Sequence, residues 1–435
     1  MATKATITPT TAAARNPFEL PELIHRLSRF VTLKDACPCA LVSKTWTNHF
    51  MSAVWFKVDF KVHPRFAVLS PAIISKNGHL IQVVKNASSF PQVTVLANAS
   101  VPETLPSPSR LKSLKIHSMC LTHDGLAAIL QGCPKLSELR LRHTNIVGTP
   151  TQSFQHTGVT IFCASFKSIY ETAPGSRSLL SYFPALRTLS TYNFGSVSTI
   201  PASRIREDTR RYCPYITRYR LEDDTGAIVP EFLVNIAHNI SGIVFFHGNM
   251  SLETITAILL HQPTLTSVSH FYVQQDLDLE KADVAPVSTH FEGSAHYLQL
   301  IPRCCSRLDT LDLHFHEMDM DVVEQGSWVC KDIRKLRIRV KGLDTEEKIL
   351  KAVALWRKGC WTRWQKKAGT SVVKEDGEEE EEGKEQCKTD LSIEARVARH
   401  LLQFEKLWWV WLGSTSNSMD LGLAATAYHK AASVV

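Results

Sequence analysis

The sequence predicts an α/β solenoid, in which short parallel strands alternate with helices and each unit packs on the next. Two observations carry that prediction. The pattern L-x-x-L-x-L occupies Leu111, Leu114 and Ile116, and returns 25 residues later at Leu136, Leu139 and Leu141. Between the copies, Leu126, Ile129 and Leu130 stand at helical spacing. Cysteine and proline are locked to the same frame. Cys133, Cys213, Cys305 and Cys330 each lie three residues before the first apolar residue of such a triplet, and Pro134, Pro184, Pro214 and Pro263 lie two before theirs. A thiol packs there as a small hydrophobe at a helix end. The proline ends the helix and commits the chain to the strand.

One strand with its returning helix cannot bury its own apolar face, so the pattern demands further copies. In the same frame they are Leu186/Leu189/Thr191, Ile216/Tyr219/Leu221, Ile240/Ile243/Phe245, Leu265/Val268/His270, Leu308/Leu311/Leu313, Ile333/Leu336/Ile338 and Leu407/Val410/Leu412. Phe90/Val93/Val95 would be an earlier one. A unit of this length and pattern, with its cysteine, resembles the leucine-rich repeat. That resemblance implies a curved, right-handed α/β leucine-rich-repeat solenoid over residues 111–413, with insertions near 147–180, 274–293 and 369–390.

Ahead of the repeats, residues 1–15 form a Thr/Ala-rich extension and residues 16–60 a small all-α domain. Asn16-Pro17 can start a helix that carries Leu20, Leu23, Ile24 and Leu27 at helical spacing. A second helical segment follows Asp35, with Ala36, Ala40, Leu41 and Val42 leading to Trp46, and a third includes Phe50, Val54 and Trp55. The motif order Leu20-Pro21-Glu22-Leu23-Ile24, Leu33, Val42-Ser43-Lys44-x-Trp46 and Val54-Trp55-Phe56 resembles the F-box. The resemblance implies docking on the Skp adaptor and, through it, on a cullin. Leu20, Pro21, Leu23, Ile24, Leu27, Val42, Trp46 and Trp55 would reach the adaptor or build the small core. Residues 61–110 read as a transition and first degenerate repeat, with Leu80 and Val83 in a partial strand.

The chain has 435 residues, 44% of them hydrophobic, so it can bury a sizeable core. The first 15 residues lack the apolar run of a signal peptide, and nowhere does a run of about 18 apolar residues occur. A cytoplasmic or nuclear protein is expected, with eleven cysteines kept as thiols and the four N-x-S sequons unused. Net charge is +7 although residues 375–385 hold eight acidic side chains, so the remainder is distinctly basic and suits acidic partners. No membrane or nucleic-acid partner is expected. Residues 414–435 carry no readable motif.

Walker, G-x-S-x-G and H-E-x-x-H motifs do not occur, so a non-catalytic protein without cofactor or metal is expected. His314, His316, Glu317, Asp319 and Asp321 are polar residues of the kind a repeat's rim carries, and Cys37-Pro38-Cys39 has no second pair at zinc spacing. Ile349, Val353, Trp356, Cys360 and Trp364 share one face of a helix over 344–367, read as the helix of the repeat begun at Ile333.

Strand alternation then places the intervening residues on the open, concave face. In order these are Lys115 and His117, Arg140 and Arg142, Ser190 and Tyr192, Arg218 and Arg220, Val244 and Phe246, Ser269 and Phe271, Asp312 and His314, Arg337 and Arg339, and Trp409 and Trp411. Arginines and aromatics dominate, the types in which binding energy concentrates. The substrate-binding residues expected among them are Arg140, Arg142, Tyr192, Arg218, Arg220, Phe246, Phe271, Arg337, Arg339, Trp409 and Trp411. The sequence thus reads as a substrate receptor of a Skp-cullin-F-box ubiquitin ligase that captures an acidic or phosphorylated protein segment. A ligase-independent interaction scaffold is the alternative.

Overall fold

The computed structural model describes residues 20–28, 30–62, 64, 66, 73, 76–87, 110–149, 153–170, 178–192, 202–222, 229–236, 240–246, 250–271, 294–367 and 391–413. The expected extension 1–15, the triplet Phe90/Val93/Val95, the insertions 274–293 and 369–390 and the tail 414–435 lie outside them. The chain forms two compact units, Met1–Val159 and Thr160–Val435.

The first unit begins with three helices, α1 (Pro21–Ser28), α2 (Leu33–Ala40) and α3 (Lys44–Phe56). Pro21 opens α1, where its missing N–H costs nothing. The Ser43 hydroxyl caps α3 by accepting from the Trp46 N–H at 3.2 Å. Ile24, Ala36, Ala40 and Phe50 close a small core, with Trp46 stacked on Phe50 at 5.3 Å. The helix α3 runs directly into strand β1 (Lys57–Asp59), so the last residues of the expected helical domain are already sheet.

Strands β1, β2 (Val83–Ala87), β3 (Ser113–His117) and β5 (Glu138–Arg142) follow one another in parallel. Leu114 pairs with Leu139 and Ile116 with Leu141, so the 25-residue repeat of the sequence is the register of the ladder. A two-stranded ladder, β4 (Cys120–Thr122) with β6 (Asn145–Val147), lies beside the helix His123–Gly132, whose first turn the Thr122 hydroxyl caps. The partial strand expected at Leu80 and Val83 is out by one residue. Its buried positions are Ile81 and Val84, with Val84 paired to Leu114. Asn86, at φ 55°, then adds a residue to the strand, so that Ala87 meets Ile116. Asparagine tolerates that left-handed turn, and a slip of one residue exchanges the two faces.

The second unit is an eight-stranded parallel sheet in sequence order: β7 (Ile161–Ser165), β8 (Thr188–Tyr192), β9 (Arg218–Glu222), β10 (Gly242–Phe246), β11 (Ser267–Phe271), β12 (Thr310–Met318), β13 (Lys335–Val340) and β14 (Trp409–Gly413). The ladder runs Leu189, Tyr219, Ile243, Val268, Leu311, Leu336, Val410, each the central apolar residue of its triplet. Their leading residues, Leu186, Ile216, Ile240, Leu265, Leu308, Ile333 and Leu407, are all buried. Each such side chain contributes roughly 1.5–3 kcal/mol by leaving water.

One expected insertion is in fact a repeat. Within 147–180, Val159, Phe162 and Ala164 occupy the triplet frame and are buried, Ile161–Ser165 pairs with β8, and Phe166–Tyr170 is helical. The alanine and the lone valine carry too little apolar signal to mark a strand. His156 stands three residues before Val159, in the cysteine position, and its Nε2 lies 3.0 Å from the Cys133 carbonyl.

That position has a consistent physical task. The Cys213 thiol donates to the Leu180 and Phe183 carbonyls, and the Cys330 thiol to the Pro302 carbonyl. These carbonyls belong to the preceding repeat's helical turn and already accept a backbone N–H, from Phe183, Leu186 and Val329 respectively, so the thiol supplies a second donor. Burial pushes the Cys213, Cys305 and Cys330 thiols up to about 12.

The helix Glu346–Lys367 returns from β13 and buries Ile349, Val353 and Trp356, leaving Cys360 half-buried; the Trp364 side chain lies outside the described residues. Trp328, His400 and Phe404 form an aromatic cluster below the last repeats, with the Trp328 indole donating to Gln299 Oε1 at 2.9 Å. The helix Ile393–Leu401 is tied down by Arg396, which bonds Glu324 and Asp321, and by Arg399, which bonds Glu324.

Candidate interaction surfaces

Two kinds of surface emerge in these units. The first is apolar and belongs to the three helices. On α1 the alternation of faces separates Ile24, fully buried, from Leu23 and Leu27, which are exposed one turn apart. Leu20 is half-buried and Pro21 exposed. Between α2 and α3 the chain leaves Leu41 and Val42 at 87% and 64% exposure, and Phe30 after α1 is equally open. Ile24 and Trp55, read from the sequence beside the contact residues, are core: Ile24 packs among Ala36, Ala40 and Phe50, and Trp55 is buried with its ring against Phe66. Trp46 is half-buried in the same core. Leu41, expected as an apolar position of the second helical segment, and Phe30, which no motif marked, are both exposed.

The second kind of surface is the sheet face opposite the buried triplets. In the first unit it is crowded with positive charge. Lys115 and Arg140 are ladder partners, as are His117 and Arg142, and Lys85 follows the residue paired with Leu114. The acidic side chains among them are engaged. Glu138 accepts from Ser113 Oγ at 2.7 Å and from Arg140 Nε. Asp59 accepts from Asn86 Nδ2 at 2.8 Å and from the Lys61 and Val62 amides. Burial, then the neighbouring Arg140, push the Lys115 ammonium down from its ordinary value; burial and Lys57 do the same to Lys85. His117 is lowered by burial and by His143 and Arg142.

In the second unit the same face is uneven. Tyr192, expected as an open contact residue, is buried together with Thr188 and Ser190, so that stretch of strand β8 offers no docking surface. Arg218 is exposed and lies over Gly242, where a Cβ would meet its Cγ at 3.3 Å; Arg220 is half-buried. Phe246 and Phe271 are ladder partners whose side chains lie outside the described residues. At the far end Arg337 is engaged within the fold, its guanidinium 4.7 Å from the Trp411 ring and 3.8 Å from Asp312. Trp411 is accordingly buried, while Trp409 is half-buried beside its ladder partner Lys335, whose ammonium lies over Trp408. Arg339 pairs across the ladder with Glu317, and burial pulls it below the usual arginine value.

The residues named for metal chemistry are used for packing. His316 is fully buried, 2.6 Å from His270 and stacked on it. Asp319 caps a helix and pairs with Lys341, and Asp321 pairs with Arg396. Among the described residues, no three His, Cys, Asp or Glu side chains gather as a metal site would require. Nor is any described helix long and apolar enough to cross a membrane.

No family model matches the chain, and no curated protein matches it. Among solved structures it is similar to the leucine-rich repeat-containing protein LegL7 from Legionella pneumophila, at 11% identity and a TM-score of 0.37, covering 66% of this chain and 83% of that one. The repeat fold itself is carried by the chain's own ladders: parallel strands in sequence order, one per unit, with the apolar triplets in register. Each unit is therefore a stack of strand-and-helix repeats, each packed on its neighbours.

Proposed function

We propose that this chain is the substrate-recognition subunit of a Skp-cullin-F-box type ubiquitin ligase. The observation that carries the reading is the three-helix unit with its L-P-x-L-I start, which keeps Ile24 inside and leaves Leu23, Leu27, Leu41 and Val42 exposed. Exposed apolar side chains of this size are a cost in water unless a partner covers them. An adaptor groove that accepts an amphipathic helix would do so. Because α3 continues into β1 without a loop, whatever holds the helices also holds the first strands. The chain would be non-catalytic: ubiquitin transfer belongs to other subunits, and this one raises the local concentration of the substrate.

The test is co-purification of the full chain with the Skp adaptor and a cullin. Leu23→Asp combined with Leu27→Asp should abolish it while the thermal unfolding midpoint stays within a few degrees, since both side chains already face water. Adaptor binding that survives in that folded variant, or that never occurs with the unaltered chain, removes the ligase reading and leaves an interaction scaffold.

A further inference from the structure

His270 and His316 meet in the second unit where β12 leaves its ladders. Three rungs join β11 to β12: Ser267 to Thr310, Val268 to Leu311 and Ser269 to Asp312. On the other side Leu313 pairs with Ile338 and the next rung joins Glu317 to Arg339, so His314, Phe315 and His316 form a bulge in β12. His316 is 0% exposed and its Nε2 lies 2.6 Å from Nδ1 of His270, itself 1% exposed. The His270 ring also meets that of Phe245, its ladder partner on β10, edge to face at 6.4 Å. In a neutral pair one facing nitrogen donates its N–H and the other accepts with its lone pair. A further proton has two places to go. On the accepting nitrogen it sets two N–H groups against each other, and on an outer nitrogen it leaves an imidazolium among rings that do not touch water. Strands β10 and β11 carry no other titratable side chain. Those on the elements around the pair are Glu253 on the helix Leu252–Leu259, His296 on the helix Ser294–Leu298, Glu317 beside its ladder partner Arg339, and Asp319 at the start of the helix Met320–Glu324. Glu253, His296 and Glu317 are exposed, Asp319 is engaged with Lys341, and Asp312 and Arg337 belong to the opposite, outward face.

We propose that this pair is a proton-operated catch: with both rings neutral it holds the β12 bulge against β11, and protonation in mildly acid solution releases His316 and the bulge while the flanking rungs stay paired. The bulge is the part that yields, because its residues stand between the rungs Leu313–Ile338 and Glu317–Arg339 and can move without breaking either. Histidine is the side chain whose ordinary titration falls in that range of pH. A metal ion does not fit between the facing nitrogens, since zinc alone requires about 2.0 Å to each. The consequence is an end of the sheet, from Leu313 to Arg339, whose shape responds to acidity. Nothing in this step depends on the ligase reading.

The experiment is amide hydrogen exchange of the full chain, read by mass spectrometry on peptides at about pH 7.5 and about pH 5.5, with rates corrected for the slower chemical exchange in acid. The peptide spanning Leu313–Glu317 should exchange about ten-fold faster at the lower pH, relative to peptides from β8 and β9. His316→Phe keeps a flat ring and takes no proton, so it should abolish that excess, and His270→Phe should do the same. His316→Gln, which keeps a donor and an acceptor without titrating, replaces either variant that does not fold. The proposal is overturned if the unaltered chain shows no excess at the bulge, or if the excess survives in a folded variant. It is also overturned if the whole second unit accelerates together, because the acid response then belongs to global unfolding, to which His400 contributes. The profile of the unaltered chain alone decides the first and last of these outcomes.

Discussion

The sheet faces of the two units use one repeat position in different ways. In the frame position after the central apolar residue, the first unit has Lys85 in the irregular stretch of β2 and the ladder partners Lys115 and Arg140, and the second has Cys163, Ser190, Arg220, Val244, Ser269, Asp312, Arg337 and Trp411. The second row contains as many side chains able to stack or pair as it has charges: Arg337 rests between Asp312 and Trp411. In the first row Arg140 is paired with Glu138, and its ladder partner Lys115 is a second cation beside it. An arginine at an outward position is therefore not by itself a binding residue. What its neighbours on the adjacent rungs do decides whether it is spent on the fold or left for a ligand.

The inward faces should show no such difference. Leu139 and Leu311 are both fully buried central residues of their triplets, one in each unit. Replacing either by Ala should cost about 3 kcal/mol, read as a shift in the denaturant midpoint. A loss below about 1 kcal/mol for one but not the other would mean that the ladders are not built alike.

A second contrast appears on titration, where the second unit responds to acid. Burial holds His400 at about 4 in the folded state against an ordinary 6.5. Its neutral form is favoured by folding, so the stability it contributes is full above about 6.5 and is lost as pH falls towards 4. That loss is on the order of 3 kcal/mol. His400→Leu should remove this component and leave a flatter midpoint-against-pH curve between 4 and 6.5; an unchanged slope would show that the ring is not sequestered between Trp328 and Phe404.

These contrasts also explain what could be read in the sequence. The nine triplets from Leu111 to Leu412 were legible because their apolar residues recur in one frame, and the cysteines marked the same frame by packing their buried thiols against the preceding repeat's turn. The strand at Ile161–Ser165 was not, since alanine replaces leucine in its triplet and a histidine replaces the cysteine before it. The β2 register was hidden by Asn86, whose left-handed turn has no periodic signature. On the three helices, Leu23 and Ile24 are adjacent and equally apolar, and only the packing separates the exposed residue from the core one. The outward face was legible as a set of positions but not as a charge state: Tyr192 is buried, Arg337 is paired, and Lys85 falls in the irregular stretch of β2.

Within the second unit, Arg337→Ala removes a guanidinium that stacks on Trp411 and faces Asp312. About 1 kcal/mol should be lost, from an exposed-type pair combined with a partly desolvated cation–π contact. A stability-neutral Arg337→Ala would reverse the assignment of the two faces.

The smallest expected effect is the most discriminating, because its sign differs. Lys115→Met should stabilise the protein by about half a kcal/mol. The reason is that the ammonium is held below its ordinary value by burial and by Arg140, which means the folded state disfavours its charge. The sign on titration follows. A folded-state value depressed below 10.5 makes the lysine's contribution to stability fully present only above 10.5 and lost as pH falls through the depressed value, so at neutral pH the residue is a net cost. Methionine keeps the aliphatic stem that packs on the sheet and deletes the charge, so the gain should be largest at neutral pH and shrink as the solution approaches pH 10.5. Differential unfolding of the two proteins at pH 7 and pH 10 measures it directly. If Lys115→Met is destabilising at pH 7, the cation is satisfied within the fold as Arg337 is, and the difference between the two sheet faces disappears.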